Sequence, residues 1–587
     1  MENGLAQNAE FIRNTYRKAV FTGMLSILSV NINVFVDGIL VGRRLGADAL
    51  AAINLSLPLY LALCVLGSFF AAGTEIPAAR AIGIGNESRR DLFFDTGLNA
   101  TVLASLVITA IGLLLREPLV SFLCANNEGP RPYVMQYVVI TLIGALPKIV
   151  IYIPFWYLRL DGKNASVTVM MTIMTIVNII LDVFFVDSLD MGVFGAGLAS
   201  VIATTLSCGY GMIRLFSKGS PYRWRLRWTK SKKDWRTILN AGFPSAFNNL
   251  CSTVRLLIIN SMLMAHGGAE LVAVFTAVNG MAGFGECVTL GAPAAGSAML
   301  GVFSGEKDNG SCRLLLKEEW KIGCITGVVF LALCAGLSGS IQRMYGLSEP
   351  ILGPLMWMAA SIFPALLLNI LITYYNMADK DLWANGLIFL RQIAMIYLGL
   401  VLSLAVHRSV FSFLLFAEAA TLLVWLAATT LHYRRNPQDS RFLMNNLEDE
   451  RNGRLLNFSV SAEVDEIVSA SERISEFCAA NGMSIKQTMR LQISMEEVMT
   501  LIRQVNEAGD MRELKFDLRA YSVNGIRGIR IRYNGIPFNP FYFSQETLNV
   551  EEDMFMGVRM IKKMVEIINY QRAFGVNTLQ IILKEGE

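Results

Sequence analysis

Hydrophobic and polar positions split the chain into two unlike parts. From about residue 20 to residue 432, long apolar windows alternate with short polar loops, and about twelve of these windows are long enough to cross a bilayer. They begin near Val20, Ala49, Gly97, Val134, Ser166, Gly195, Ile238, Leu271, Ile322, Gly353, Leu382 and Val410. After His432 the periodicity is that of a soluble domain. A charged linker, Tyr433 to Arg454, leads to LLNFSVSA, which reads as a strand, and to amphipathic helices over Glu463–Ala480 and Ser484–Gln504. ELKFDLRAYS and GIRIRYNG read as a hairpin, Phe555–Ile568 as a helix, and NYQRA with NTLQIIL as a last hairpin.

The pattern predicts an all-α polytopic membrane bundle of about 12 transmembrane helices in two six-helix lobes, followed by a C-terminal soluble α+β sandwich. The expected boundaries are an N-terminal lobe at 1–217, a basic linker at 218–236, a C-terminal lobe at 237–436, a second linker at 437–454 and the sandwich at 455–587.

Composition agrees. The 587 residues are 53% hydrophobic and only 17% charged, against about 25% charged in soluble proteins. Arg80, Arg89, Arg90, Arg159, Lys163, the run Lys218–Arg236, Lys307, Arg313, Lys317, Lys321 and Lys380 fall in loops after even-numbered spans. Few basic residues fall in the others, so the positive-inside rule puts both termini in the cytoplasm of a plasma-membrane protein. The net charge of +4 comes with no one-sided basic and aromatic pattern, so nucleic acid is not an expected partner. Nine cysteines without a CxxC suggest neither a zinc site nor a disulfide framework.

GADALAA at Gly46–Ala52 returns as GAELVAV at Gly268–Val274, and AAG at Ala71–Gly73 returns at Ala294–Gly296, which points to an internal repeat. Six spans per half put both copies in one orientation, with a central cavity between the lobes.

Intramembrane acids mark the candidate chemistry. Asp37 lies in the first span with Asn33 four residues before it, and Asn178 and Asp182 form a second i,i+4 pair. With Ser200 on a glycine-lined helix, these groups could converge on a proton or small cation. Two plainer readings stand beside this one: Asp37 snorkelling to the interface, and Asn178 with Asp182 acting only as polar glue between helices.

VDGILVGRRLGADALAAINLSLPL, NIILDVFFV followed by MGVFGAGLAS, YLRLDGK at Tyr157–Lys163 and AGFPSAFNN resemble, in order, the multidrug and toxic compound extrusion (MATE) family over about residues 10 to 435. The resemblance implies a two-lobe antiporter that expels organic compounds in exchange for protons or sodium, without enzymatic activity or a bound metal. It also implies that Asp37, Asn178 and Asp182 are coupling residues, with Ser200 where the family often has Thr. The second half carries its own buried charges, Arg255, Glu286, Arg391 and Glu418, whose simplest reading is ion pairs between helices. Lys148, Arg255 and Glu286 are also candidate cavity residues; a cationic Lys148 or Arg255 there would favour an anionic or zwitterionic substrate.

LQISMEEVMTLI, YNGIPFNP, MGVRMIKKMVEIINYQR and NTLQIILK resemble the anti-sigma-factor serine-kinase type of ATP-binding domain, of the histidine-kinase-like ATPase fold. By that resemblance Glu497 aligns with the family's Glu, Leu501 stands where an Asn holds magnesium, Asn534 and Gly535 replace the adenine-contacting Asp-x-Gly, and Gly557 is what remains of the lid. Leucine cannot ligate magnesium, so the domain is expected to keep the fold without ATP binding or kinase chemistry. The whole is expected to be a monomeric, cation-coupled exporter of small organic compounds, in contact with membrane lipid and with a regulatory cytoplasmic domain that meets a protein partner. The alternatives are a membrane ligand sensor signalling through that domain, or a flippase for a lipid-linked molecule.

Overall fold

The computed structural model describes residues 12–28, 31–32, 46–84, 86–124, 131–218, 220–344, 350–405, 410–508, 514–523, 525–541, 556–573 and 576–583. The first half is helical: α1 (12–28), α2 (Gly46–Gly83), α3 (Glu87–Leu114), α4 (Arg116–Cys124), α5 (Arg131–Ile143), α6 (Ala145–Val150), α7 (Tyr152–Leu160), α8 (Asn164–Asp182) and α9 (Gly192–Leu215). The second half continues with α10 (Lys232–Thr289), α11 (Gly291–Gly305), α12 (Asn309–Met344), α13 (Leu352–Met377), α14 (Asp381–Phe389), α15 (Met395–Ala405) and α16 (Phe413–Arg435).

Among the described residues nine helices are long and apolar enough to cross a membrane, or ten if the bent pair Arg131–Ile143 and Ala145–Leu160 is one span. Twelve are expected from the sequence. Part of the first lies outside the described residues, the one beginning near Ile238 lies within the 58-residue α10, and the one beginning near Leu271 is met by Ala277–Gly305, which runs from the end of α10 through α11. Arg159, expected in a loop, is buried in the last turn of α7.

The two halves meet along a seam of small residues. A Cβ on Gly73 would stand 2.7 Å from the Ile238 carbonyl oxygen, one on Gly291 would stand 2.8 Å from the Met24 Cα, and one on Gly301 would stand 2.7 Å from the Ala79 Cβ. Backbones at these crossings are therefore as close as glycine permits. Polar clasps tighten the same end of the bundle. Arg80 at the foot of α2 holds Asp379 at 2.8 Å and donates to the carbonyl oxygens of Met377 and Asn376 at 3.0 and 2.6 Å. Arg13 of α1 pairs with Glu318 of α12 at 2.8 Å.

Beyond α16, the short α17 (Glu448–Arg451) precedes the tail: β1 (Leu455–Ser461), α18 (Val464–Ala480), α19 (Ile485–Ala508), β2 (Lys515–Val523), β3 (Ile526–Tyr533), α20 (Met556–Met564), β4 (Val565–Ala573) and β5 (Val576–Leu583). Five antiparallel strands in the order β1-β2-β3-β5-β4 make one sheet. Phe516, Leu518, Ala520, Ile529, Ile531 and Tyr533 point from β2 and β3 into a core shared with Ile467, Ile474, Leu491, Met495 and Val498 of α18 and α19. The helix expected over Phe555–Ile568 ends at Met564; Val565–Ile568 instead begins β4, and a register shift between Val565 and Ile567 absorbs the change of phase.

The other face of the sheet is charged, and it too is buried. Arg519 and Arg530 are opposed across β2 and β3, an unfavourable pairing by itself. Asp308, in the turn between α11 and α12, answers both, with Oδ1 2.9 Å from Arg519 Nη1 and Oδ2 3.1 Å from Arg530 Nη1. Glu306 of the same turn pairs with Arg530 and Arg532, and Asp517 bridges those two at 3.0 and 3.2 Å. Three guanidiniums thus balance three carboxylates, and Arg532 lies 4.4 Å over the ring of Phe303 in α11. Burial alone would raise the Asp308 pKa, but Arg519, Arg530 and Arg532 outweigh it and hold the carboxyl well below the usual carboxylate range.

Removing one partner of such a cluster leaves buried charge uncompensated, at about 3–5 kcal/mol. Asp308→Ala is therefore expected to free the charged face, raising hydrogen exchange across β2 and β3 while α18 and α19 stay protected; unchanged exchange there would count against the docking. Because the folded pKa of Asp308 is depressed, its contribution is complete above about pH 4, the ordinary Asp value, and is lost only as pH falls far below it. Tail release followed by cysteine-labelling or proteolysis should accordingly be flat from pH 8 down to about 4.

Candidate functional site

The polar stripe of α8 is the best-defined candidate in the first half. Thr168, Thr175, Asn178 and Asp182 are buried on one face of a helix whose other residues are mostly apolar. Thr168 Oγ1 donates to the Thr22 carbonyl oxygen at 2.7 Å, which sets the stripe against α1. Further along, Asn178 Nδ2 donates to Asp182 Oδ2 at 2.9 Å. At Asp182 the α-helix gives way to a π-turn, Val183–Ser188. Such turns displace the side chains that follow and recur at functional sites. A buried carboxylate fixed by an amide donor can take a proton or contribute an oxygen to a cation.

The remaining expected residues divide. Asn33 and Asp37 lie outside the described residues. Ser200 is half-buried on α9, where its carbonyl accepts from Thr204 Oγ1 at 2.7 Å, and no hydrogen bond joins it to the α8 pair. Close packing of α9 on its neighbours does occur at glycine: a Cβ on Gly197 would strike Ile140, and one on Gly211 would strike Met170. Lys148 is buried on α6 with its ammonium 5.6 Å from the Tyr60 ring centre.

The second half gathers its charges on α10, the Leu390–Ala394 turn and α16. Arg391 Nε lies 2.8 and 2.7 Å from the two oxygens of Glu418, and Arg391 Nη1 donates to Asn369 Oδ1 at 2.6 Å. Arg255 Nη1 donates to Gln392 Oε1 at 3.1 Å, with Glu418 and Glu286 as its charged neighbours. Glu286 keeps a large exposed surface and has the Asn31 side chain as a hydrogen-bonding neighbour, so this network reaches the first half. Arg391 sits in a second π-turn, Leu390–Ala394, which falls between α14 and α15.

Three buried ions escaped the sequence reading. Glu75 in α2 is buried with neither carboxylate oxygen hydrogen-bonded among the described residues, and its charged neighbours are Arg159 and Arg80. Arg159 donates from Nη2 to Ser26 Oγ at 3.0 Å and stacks 4.1 Å over Phe155. Glu319 is buried in α12 beside Gly296, one of the repeated AAG glycines. TEIPAAR inside the second apolar window was the available signal for Glu75. Glu319 was hidden by its neighbours Lys317 and Lys321, which make the stretch look like a loop.

In the tail, the ATPase-like positions have other occupations. Leu501 is buried in the core and Glu497 is exposed on α19. Asn534 Oδ1 accepts from the Lys515 amide at 2.8 Å, closing the end of the β2–β3 pair. Gly535 packs on Asn506, whose Oδ1 accepts from the Ile536 amide at 2.8 Å. A Cβ on Gly557 would fall on the Glu497 carboxylate. With Leu501 in the core and Asn534 engaged by backbone, this donor set does not fit a magnesium nucleotide.

Comparison with known proteins follows the same division. The family model MatE matches residues 24–184. An FAD transporter of Shewanella oneidensis is 29% identical over 245 residues, 40% of this chain and 52% of that protein. The multidrug export protein MepA of Staphylococcus haemolyticus is 22% identical over 43% of this chain and 54% of its own length. The probable multidrug resistance protein YoeA of Bacillus subtilis is 25% identical over 337 residues, 55% of this chain and 71% of that one. The chain thus spans about half the length of the first two curated relatives. Among solved structures, a multidrug resistance MATE family transporter in an outward-facing conformation superposes with a TM-score of 0.67 at 20% identity, covering 72% of this chain and 96% of that one. A MOP superfamily transporter from Pyrococcus furiosus does so with a TM-score of 0.64. The membrane-spanning part of this chain therefore has the fold of MATE transporters, and its residues 24–184 are similar in sequence to the MatE family.

Proposed function

We propose that this protein is a cation-coupled secondary transporter, not an enzyme, that exports small organic compounds by alternating access. The observation that carries the reading is the buried Asn178–Asp182 pair at the π-turn of α8, in a bundle of this fold. Asp37 lies fifteen residues beyond Thr22 and Asp182 fourteen beyond Thr168, the two residues through which α1 and α8 touch. Asp182 and Asp37 together take up a proton or a sodium ion, and the ion's charge couples the site to substrate release. The relatives' printed roles, export of multiple drugs and transport of FAD, support a small organic substrate.

The glycine seam is closed at the tail-bearing end, which we take as cytoplasmic because the basic loops gather there. Opening toward that side requires the two halves to part around Gly73 and Gly291. The tail bears on both halves: its Arg519, Arg530 and Arg532 hold the 306–308 turn, while Arg572 of β4 is a charged neighbour of Asp161 in the α7–α8 turn. A sheet gripping both halves favours the closed seam, so the tail is regulatory, acting as a clasp that a cytoplasmic partner or a change of charge releases.

Asp182→Asn is expected to abolish gradient-driven efflux from inside-out vesicles under either a proton or a sodium gradient while the protein remains inserted; efflux at the wild-type rate would refute the coupling role. Replacing Ser200 by Ala should cost far less, at most a few-fold in rate. For the tail, titration of the full-length protein with magnesium and ATP should give no metal-dependent binding and no phosphotransfer to cytoplasmic extract. A chain ending at Arg435 should keep the same coupling ion while its rate of inward opening, followed by labelling of a cysteine that replaces Ser68, buried on α2 against Asn249 of the second half, rises; an unchanged rate would remove the clasp.

A further inference from the structure

A cavity of about 580 Å³ opens where α12 begins, α16 ends and the linker folds back beneath them. Its polar side is cationic: Arg313 and Lys317, four residues apart on one face of α12, are joined by Arg441 and Arg451 of the linker. Arg313 and Lys317 have no carboxylate partner among the described residues. Arg441 spends one donor on Thr430 Oγ1 at 2.8 Å, and Arg451 one on the Pro437 carbonyl oxygen at 3.2 Å. The acid in the lining, Asp439, is engaged by His432 Nε2 at 3.2 Å. Four cations therefore line a space to which Asp439 contributes the one carboxylate.

The other walls are apolar. Tyr433 and Phe442 line the cavity, and Phe442 is held by the Trp425 ring, 5.5 Å away and nearly parallel, and by the Arg441 guanidinium at 5.3 Å. From Lys317 the same side of α12 runs on through Ile325 and Val328, each 58% exposed, which is the lipid-facing track of a spanning helix. A site with basic groups at the water boundary and an apolar track leading from it into the membrane matches an ion that has both a phosphate and hydrocarbon tails.

We propose that this cavity binds the headgroup of an anionic phospholipid, with Arg313, Lys317, Arg441 and Arg451 on the phosphate and the acyl chains along α12. One wall of the site is the linker itself. Tyr374 and Tyr375 donate to the carbonyl oxygens of Leu443 and Phe442 at 3.1 and 2.8 Å, and Lys380 Nζ to that of Met444 at 2.7 Å. Lipid in the cavity thus fixes the segment that carries the tail to its docking surface. The inference rests on the bundle lying in a membrane with this end at the water boundary, and not on what the bundle transports.

The test uses full-length protein, purified in detergent and stripped of lipid, titrated separately with short-chain phosphatidylglycerol, short-chain phosphatidylcholine and inorganic phosphate. Binding is read by native mass spectrometry and by the shift in melting temperature. Phosphatidylglycerol is expected to bind about tenfold or more tighter than phosphatidylcholine, and the double variant Arg313→Gln, Lys317→Gln to lose about tenfold or more of that binding, in line with the usual contribution of a basic residue near a lipid surface. Lys230→Gln, an exposed lysine elsewhere on the same side, should leave it unchanged. Equal binding of the two lipids, equal binding by the double variant, or inorganic phosphate matching phosphatidylglycerol would each overturn the proposal, the last by making this a site for soluble anions. Should the double variant not fold, wild-type protein crosslinked to a diazirine-bearing phosphatidylglycerol decides the matter: label within 313–317 and 430–451 supports the site, and label elsewhere rejects it. No arm measures transport, so failure here leaves the exporter reading standing, and failure of that reading leaves this one.

Discussion

Arg519 and Arg530 stand directly opposite one another on neighbouring strands, and the structure around them depends on what neutralises that pair. Among the described residues of the tail only Asp517 pairs with this face, and it is already shared by Arg530 and Arg532. The missing negative charge comes from Glu306 and Asp308, which belong to a turn of the membrane bundle. The tail sheet is thus electrostatically incomplete without the bundle. Asp308 has a second task, accepting from the Ser311 amide at 3.1 Å and its hydroxyl at 2.8 Å, so the residue that docks the sheet also caps α12. One carboxylate couples the start of a spanning helix to the fold beyond the membrane.

The bundle resolves its own charges differently. In the second half Arg391 pairs with Glu418, and Arg255 with Gln392 among acidic neighbours, while Glu319 of α12 is buried with neither carboxylate oxygen hydrogen-bonded among the described residues. In the first half Asp182 has an amide partner, and Glu75 has cations nearby without a hydrogen bond. Uneven satisfaction of this kind, present in both halves, separates ions that hold helices together from acids left able to change protonation or ligand.

Much of this was legible from residue order. The i,i+4 spacing of Asn178 and Asp182 already placed them on one face, and their hydrogen bond follows from that spacing. Alternation in KFDLRAYS and GIRIRY located β2 and β3, but nothing local could tell that the arginine face would be covered, because its cover lies more than two hundred residues away in sequence. Phe555–Ile568 misled for a related reason: its apolar spacing suits a helix throughout, and only pairing with β5 converts Val565 onward to strand. Arg159, Glu75 and Glu319 were hidden because a charge near the end of an apolar window is normally a loop residue, and burial overrides that reading only once the neighbouring helices are in place.

The linker that follows α16 is short, and its first half is pinned by three hydrogen bonds to its carbonyls, two from α13 and one from Lys380 in the turn before α14. The tail consequently experiences its docking turn at an effective concentration on the order of millimolar or above, as for any short tether. A free protein competing for the arginine face at micromolar levels would face a tethered rival about a thousandfold more concentrated. Displacement by simple competition is therefore inefficient, and control over the tail is better exerted by altering the charge of the 306–308 turn or the hold on the linker than by offering the sheet a second partner.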